Sequence, residues 1–442
     1  MDTQYKKLIP SIYLYNGKAV RSLTDHDPVS EDPAELAAKY DNGFTDALMI
    51  FDMSGTDKEQ EVHNDIIREI CVGIRIPVIA AGRVRRMEDV KKFLYAGCSM
   101  ACLDLSGDEG LQIASEVADK FGRDKIAACF TSCDQITKNE AFLAGTVSCF
   151  IYTGDEPFEG IPLTENGSEG VSGSIPVIMQ IGSGTCVKDT LIKAGIAGVT
   201  GDGVNQRIDK LQHVRNKLAS AGIPVKIRTA FFKWEDFKLG PGGLVPVVVQ
   251  EASTDQVLMV AYMNEEAYNM TVATGRMTYW SRSRNEIWVK GLTSGHFQYV
   301  RSLTADCDMD TLLAKVEQIG AACHTGSHSC FFNKVLTEEG KEEFNPQTVL
   351  LKDYQTIIDR REHPKKGSYT NYLFDKGIDK MLKKLGEEAT EIVIAAKNPN
   401  PNEIVYEISD YLYHLMVVMA EKGITWEDVT GELARRQKKE NT

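Results

Sequence analysis

The sequence predicts a multidomain protein of three textures: an α/β, (β/α)8-barrel-like N-terminal domain over residues 1–228, a mainly-β metal-binding domain over 229–336, and an all-α C-terminal domain over 348–442. Three observations carry this reading. Short apolar runs alternate with amphipathic stretches in the first region. Strand-like segments and a cluster of cysteines and aspartates fill the second. The third shows helical periodicity throughout.

In the first region "DALMIFDMS", "IPVIAAG", "MACLDLS", "KIAACF", "SCFIYTG", "IPVIMQIG" and "AGVTGDG" read as buried strands. "EDPAELAAKYDNG", "MEDVKKFLYAG" and "VKDTLIKAG" read as helices between them. Strand and helix in turn imply a parallel sheet covered by helices. The stretches "IPVIAAGRVRRMEDVKKFLYAGCSMACLD" and "IPVIMQIGSGTCVKDTLIKAGIAGVTGD" repeat one order: strand, glycine turn, helix, Ala-Gly, strand. A repeated half-domain points to a barrel more than to an open sheet.

The second region follows "KLGPGG" and holds the strand-like segments "LVPVVVQ", "QVLMVAYM", "MTYWSRS", "EIWVKG" and "HFQYVRSL". The polar stretch "LTEEGKEEFNPQ" reads as a linker. Beyond it, "LKDYQTIIDRRE", "IDKMLKKLGEEATEIVIAAK", "NEIVYEISDYLYHLMVVMAEK" and "TWEDVTGELARR" read as helices.

Composition narrows the function classes. The chain has 442 residues, 43% hydrophobic and 26% charged, as in globular proteins. No apolar run is long enough to span a membrane, and the start "MDTQYKKLIP" lacks the apolar core of a secretory signal. A cytoplasmic location is therefore expected, with the ten cysteines as reduced thiols or metal ligands. A net charge of −13 argues against nucleic-acid binding.

The stretch "DCDMD" sets Asp306, Asp308 and Asp310 at alternate positions around Cys307. In an extended segment the carboxylates share one face and Cys307 points the other way. Such crowding suits either a solvated acidic turn or a bound cation. Downstream, "ACHTGSHSCF" adds Cys323 and Cys330 with His324 and His328. Thiolate and imidazole suit tetrahedral Zn2+, and carboxylate oxygens suit the harder Mg2+. Three thiolates leave a position for a water whose pKa falls toward ~7. A closed structural zinc, with His324 or His328 as fourth ligand, fits the spacing equally.

"TYWSRSRNEIWVKGLTSGHFQYV", "DCDMDTLL" and "QIGAACHTGSHSCF" together resemble the phosphoribosyl-AMP cyclohydrolase family over nearly all of the middle region. The resemblance implies hydrolytic opening of the adenine ring between N1 and C6. It places catalytic zinc on Cys307, Cys323 and Cys330, with one ligand supplied across a homodimer interface, and magnesium on Asp306, Asp308 and Asp310. His324 becomes the proton-transfer residue. Trp280 packs on the purine, while Arg282, Arg284 and Lys290 offer charge for phosphate. The family's Lys-Gly-Glu-Thr-Ser-Gly is altered here, with Leu292 in place of the glutamate.

In the last region Glu388 and Glu391 stand three apart, as do Glu407 and Asp410. Each pair lies on one helix face, and the loop "KNPNPN" allows a hairpin that brings the pairs together. Four converging carboxylates call for a divalent cation, and Mg2+ bridging a polyphosphate fits. "SYTNYLFDKGIDKMLKKLGEEATEIVIAAKN" and "VYEISDYLYHLMVVM" resemble the phosphoribosyl-ATP pyrophosphohydrolase family, an all-α group with this E-x-x-E and E-x-x-D constellation. The resemblance implies hydrolysis of the α–β phosphoanhydride by a metal-activated water, with Glu387 assisting either as base or as a group that supports the ligands from behind. Lys384, with Lys380 and Lys383, receives the phosphates.

The two resemblances fit one another. Phosphoribosyl-ATP hydrolysed by the last region yields phosphoribosyl-AMP, the substrate of the middle region; both are steps of histidine biosynthesis. The first region resembles the barrel enzymes of that pathway through "DPAELAAKYDNGFTDALMIFDMSG" and "IPVIAAGRVRRMEDVKKFLYAG". Its catalytic features look lost: "IPSIYLYNGKAV" offers Tyr13 where those enzymes have an aspartate. "KIAACFTSCD" lacks the second one, and a glycine triplet becomes Gly82-Arg83. Asp52 remains. A degenerate barrel with a structural or docking role is expected.

Overall fold

The computed structural model describes residues 5–105, 108–137, 139–154, 158, 175–336 and 346–440. The expected linker falls largely at 337–345, outside the described residues. The chain forms two compact units. One comprises Met1–Ala252 with Val257–Cys330, and the other Ser253–Gln256 with Phe331–Thr442.

The first unit opens with β1 (Lys7–Ile9), β2 (Ser11–Tyr15), β3 (Lys18–Val20) and β4 (Pro28–Ser30). Then come α1 (Pro33–Asn42), β5 (Leu48–Asp52), α2 (Asp57–Gly73), β6 (Val78–Ala81), α3 (Met87–Tyr95), β7 (Met100–Asp104), α4 (Asp108–Phe121) and β8 (Ile126–Phe130). They are followed by α5 (Asp134–Thr137), α6 (Glu140–Thr146), β9 (Cys149–Tyr152), β10 (Val177–Gln180), α7 (Val187–Leu191), β11 (Ile196–Thr200), α8 (Asp202–Asn205) and α9 (Leu211–Ser220). All seven strands expected from the apolar runs are present. So are the three expected helices, α1, α3 and α7, and the helix α2 is one whose polar sequence gave less warning.

The sheet runs β1-β11-β10-β9-β8-β7-β6-β5-β2-β3-β4. Pro10 alone separates β1 from β2. β1 pairs in parallel with β11 and β2 in parallel with β5, so the segment Lys7–Tyr15 joins both ends of the parallel array. At this seam the Ser11 and Thr200 hydroxyls meet at 2.8 Å. Asn205 holds Ser11 from both sides, accepting from its N–H and donating to its carbonyl. Period-two alternation divides each strand between two cores. Leu48 and Ile50 join the larger cluster, which includes helix residues such as Ile67, Val90 and Phe93. Met49 and Phe51 join a second cluster with Tyr13, Ile79, Cys102, Cys149 and Ile178.

The middle region belongs to the same unit. β12 (Val245–Glu251) and β13 (Val257–Met263) form a hairpin, followed by α10 (Glu265–Thr274), β14 (Thr278–Ser281), β15 (Glu286–Val289), β16 (Gln298–Ala305) and β17 (Leu312–Gln318). The sheet order is β13-β12-β17-β16, with β12 and β17 parallel and the other neighbours antiparallel. β14 and β15 form a separate hairpin. Inward positions of β12, Val245, Val247 and Val249, are fully buried with Leu312, Ala314 and Val316 of β17. The α1 end of the first region docks on this sheet. Arg301 of β16 donates to Asn42 Oδ1 at 2.6 Å and to Glu317, and Arg75 joins Asp41 and faces Glu317 at 3.9 Å. Arg228 lies over the Phe44 ring and donates to the Thr274 carbonyl.

The second unit is helical: α11 (Pro346–Glu362), α12 (Tyr369–Lys376), α13 (Ile378–Ala395), α14 (Pro401–Lys422) and α15 (Trp426–Glu440). Asn400 caps α14 by accepting from Asn402 N–H, and Pro401 opens the helix, where its missing N–H costs nothing. Leu373, Met381, Met416, Val417 and Ala420 form the core of this unit. Among the described residues no helix is long and apolar enough to cross a membrane.

Candidate functional site

The segment "DCDMD" leaves β16 at Ala305 and forms a turn rather than a strand, which corrects the alternate-face expectation. The cause is Asp306, whose Oδ1 accepts from the Asp310 and Thr311 N–H groups at 3.0 and 3.2 Å. Met309 takes a positive φ of 64° to close the turn. This folds Asp306, Asp308 and Asp310 into one exposed group, with one carboxylate oxygen from each within 4.8 Å of the others. Lys238 reaches Asp308 at 3.3 Å. Although desolvation pushes the Asp306 carboxyl up, the Thr311 and Asp310 N–H groups hold it below its ordinary range.

The loop after β17 carries the thiols. Cys323 N–H bonds to Ser327 O and Gly326 N–H to Cys323 O, folding a tight turn in which Gly326 adopts φ 88°. Cys330 N–H then bonds to Leu258 O, which ties the loop to β13. The Cys323 and Cys330 thiols bear on each other electrostatically, which helps to lower the first and raise the second. The Thr325 hydroxyl donates to Cys323 Sγ at 3.1 Å and holds that thiol below its ordinary range. Burial pushes Cys330 up. Cys307 is exposed, and the three thiols do not come within 4.8 Å of one another in one chain. His324 is exposed, with Nδ1 3.9 Å from Cys323 Sγ. His328 turns away to Glu251 at 3.6 Å.

The β14–β15 hairpin presents the other expected contacts. Trp280, Arg282 and Trp288 line a cavity of about 520 Å³ with Met259, Val260, Ala261, Tyr262, Ser281 and Ser283. The Arg282 guanidinium lies 3.8 Å from the Tyr262 ring centroid, and Arg284 pairs with Glu286 at 3.1 Å. Lys290 is buried, and its Nζ donates to Ala322 O at 2.7 Å beside the thiols. Burial lowers its pKa. Leu292 is exposed.

In the second unit Glu388 and Glu391 of α13 meet Glu407 of α14, with one carboxylate oxygen from each within 4.8 Å of the others. Asp410, one turn beyond Glu407, lies outside that group of three. Glu388 is buried, although it is ionisable. Lys384 bonds Glu387 at 3.0 Å and reaches Glu388 at 3.4 Å, which raises the lysine and lowers Glu387. Lys383 approaches Glu387 at 3.5 Å. Sequence reasoning did not single out His414 or Tyr369, which stand behind Glu388. The available signal was His414 four residues after Asp410, on the same helix face.

Two groups of converging carboxylates, one in each unit of the chain, fit a hydrolase with two sites. The phosphoribosyl-AMP cyclohydrolase family matches residues 259–332 and the phosphoribosyl-ATP pyrophosphohydrolase family residues 351–437. A third family, described as histidine biosynthesis protein, matches residues 7–157. The histidine biosynthesis bifunctional protein HisIE of Thermoanaerobacter pseudethanolicus is 51% identical over 210 residues, 45% of this chain and 97% of that protein. HisIE of Caldanaerobacter subterraneus is 53% identical over 46% of this chain and 98% of its own length. HisIE of Bacillus subtilis is 43% identical over 46% and 95%. The chain belongs to the HisIE family of bifunctional histidine-biosynthesis proteins. It is a hydrolase that joins phosphoribosyl-ATP pyrophosphohydrolase and phosphoribosyl-AMP cyclohydrolase activities.

Proposed function

We propose that the division of labour follows the two sites: Glu388, Glu391, Glu407 and Asp410 serve pyrophosphate release, and the Cys323–Cys330 loop with "DCDMD" serves ring opening. The observation that carries this is the pair of carboxylate groups, each within 4.8 Å, in separate units of the chain. Hard oxygen donors this close suit Mg2+, which when bound supplies positive charge to the phosphates. Asp410 lies one turn further along α14, outside that group of three, and is proposed to join it when the cation is bound. Lys384 neutralises Glu387 and Glu388 in the resting site and can turn to phosphate when substrate arrives.

In the middle domain the Cys323 and Cys330 thiols of one loop suit Zn2+, a Lewis acid for the attacking water when bound. The hydroxyl of Thr325 favours the thiolate form of Cys323, the form a metal needs. Cys307 stands apart from the pair within a chain, so we propose a homodimer in which it is supplied by the second copy. His324 is placed to move the proton. Trp280 and Arg282 line a cavity of about 520 Å³ suited to the purine and its phosphate, with Arg284 at the rim. Lys290, buried against Ala322 O, supports the thiol loop instead. A cytoplasmic location follows for a pathway enzyme with reduced thiols.

We further propose that the first region is a (β/α)8 barrel without chemistry of its own. The double pairing of Lys7–Tyr15 supports the closed form. Asp52 supports the loss of activity. It is buried, 2.5 Å from His63 Nδ1, and it also accepts from Ser54 N–H and Oγ. Gly17 N–H donates to the far ring nitrogen of His63, which completes a closed structural network. Tyr13 stacks on Phe51 at 5.2 Å and its hydroxyl accepts from Gln180, filling space a substrate would need.

The test separates the functions by substitution. Glu388→Gln should abolish pyrophosphate release and spare ring opening of supplied phosphoribosyl-AMP, and Cys323→Ser should do the reverse. Equal loss of both activities in folded protein would refute the assignment.

A further inference from the structure

We propose that His414 and Tyr369 are positioning residues for Glu388, forming a hydrogen-bonded brace that fixes the carboxylate in the metal-binding arrangement. The inference rests on the carboxylate site proposed above.

The brace links three helices. His414 of α14 is buried, and its Nδ1 lies 2.9 Å from the Asp410 carbonyl. A carbonyl oxygen only accepts, so Nδ1 carries the proton. In the neutral ring Nε2 is then an acceptor, and the Tyr369 hydroxyl at the start of α12 donates to it at 3.2 Å. Glu388 Oε1 of α13 lies 3.7 Å from the same Nδ1–H. That is too long for a hydrogen bond, but it sets the positive edge of the ring against the buried carboxylate. Aromatic contacts fix the ring. Tyr369 and Tyr413 both meet it edge-on, at 87° and 81°. The Tyr413 hydroxyl pairs with Thr370 at 2.8 Å, which anchors α12 a second time.

The consequence is geometric. Glu388 is the buried member of the group with Glu391 and Glu407. Lys384 reaches it at 3.4 Å from its own helix. From α14 the like-charged Glu407 and the His414 edge face it, so His414 is the group of that helix with a positive edge toward it. Loosening the brace leaves the ligands present but lets Glu388 wander. Partners behind a ligand typically change metal affinity by roughly 10–100-fold.

The experiment uses the full chain with Asp306, Asp308 and Asp310 replaced by Asn, so that one carboxylate group remains. Tyr369→Phe keeps the ring packing and removes the hydroxyl; His414→Gln removes the ring. Mn2+ binding is measured by calorimetry, and pyrophosphate release is measured against Mg2+ concentration. We expect both variants to weaken Mn2+ binding and raise the half-saturating Mg2+ about tenfold, with kcat at saturating Mg2+ changed less than about threefold. Unchanged Mn2+ affinity in Tyr369→Phe overturns the proposal, whatever happens to kcat and whether or not His414→Gln folds. Glu388→Gln is the control. If it leaves Mn2+ binding intact, the carboxylate-site reading fails instead.

Discussion

Replacing Arg301 by Met tests whether the first region is docked on the cyclohydrolase sheet or merely tethered to it. Arg301 bonds Asn42 across 259 residues of sequence and Glu317 on the neighbouring strand. Burial, with Arg75 nearby, pushes its guanidinium down to about 10. A hydrogen bond to a charged group contributes about 1.5–3 kcal/mol when one partner is deleted. Asn42 is buried, and its Oδ1 would lose this donor, while its Nδ2 keeps a contact of 3.4 Å with Glu317. Glu317 is 37% exposed and still faces Arg75, so its share is small. The sum is about 2 kcal/mol. Spread over a unit of this size, at ~2 cal/mol/K per residue of unfolding entropy, that lowers the melting temperature by roughly 3 °C. Calorimetry of the full chain reads the shift. A double-mutant cycle with Asn42→Ala should return a coupling of about 1 kcal/mol. A loss below about 0.5 kcal/mol, or additive single changes, would refute the idea that this contact fastens the two regions.

Other outcomes follow from the same geometry. In metal-stripped protein, alkylation of Cys323 should rise with pH at a lower midpoint than that of Cys330, because Thr325 favours its thiolate and burial disfavours that of Cys330. Thr325→Ala should move the Cys323 midpoint upward in the mass-spectrometric assay. Asp308→Asn should alter the Mg2+ requirement of ring opening while leaving tightly bound zinc in place, measured by metal analysis; loss of zinc would count against separate sites. Supplied with the sugar-phosphate substrates of the pathway's barrel enzymes, and ammonia for the cyclase reaction, the full chain should show no turnover above a blank. Turnover abolished by Asp52→Asn would make the first region an enzyme.

Much of this architecture was legible because it rests on local pattern. Runs such as Leu48–Phe51 and Val78–Ala81 are apolar at every position, as suits strands buried on both faces. The Glu388 and Glu391 pair was readable because helical spacing is regular. Two things were not. "DCDMD" looked extended, but the Asp306 side chain competes with the sheet for backbone N–H groups and bends it into a turn. The strand Leu312–Gln318 also escaped notice, since "LLAKVEQ" gains its strand character from lying between β12 and β16. Contacts such as Arg301 with Asn42, or His414 with Tyr369, join distant residues and leave no periodic trace.

The seam at Ser11 and Thr200 has a consequence for the time course of biosynthesis. The two hydroxyls are 189 residues apart in sequence. At about 5–20 residues per second, ribosomal synthesis needs roughly 10–40 s to deliver the second after the first. Throughout that interval β1 lacks its eventual neighbour, and its unpaired backbone edge is available to other chains. Pairing of such high contact order is also intrinsically slow once possible. The nascent protein therefore presents a long-lived sticky edge early in its life, a natural substrate for chaperones and the step at which overexpression would first divert it into aggregates.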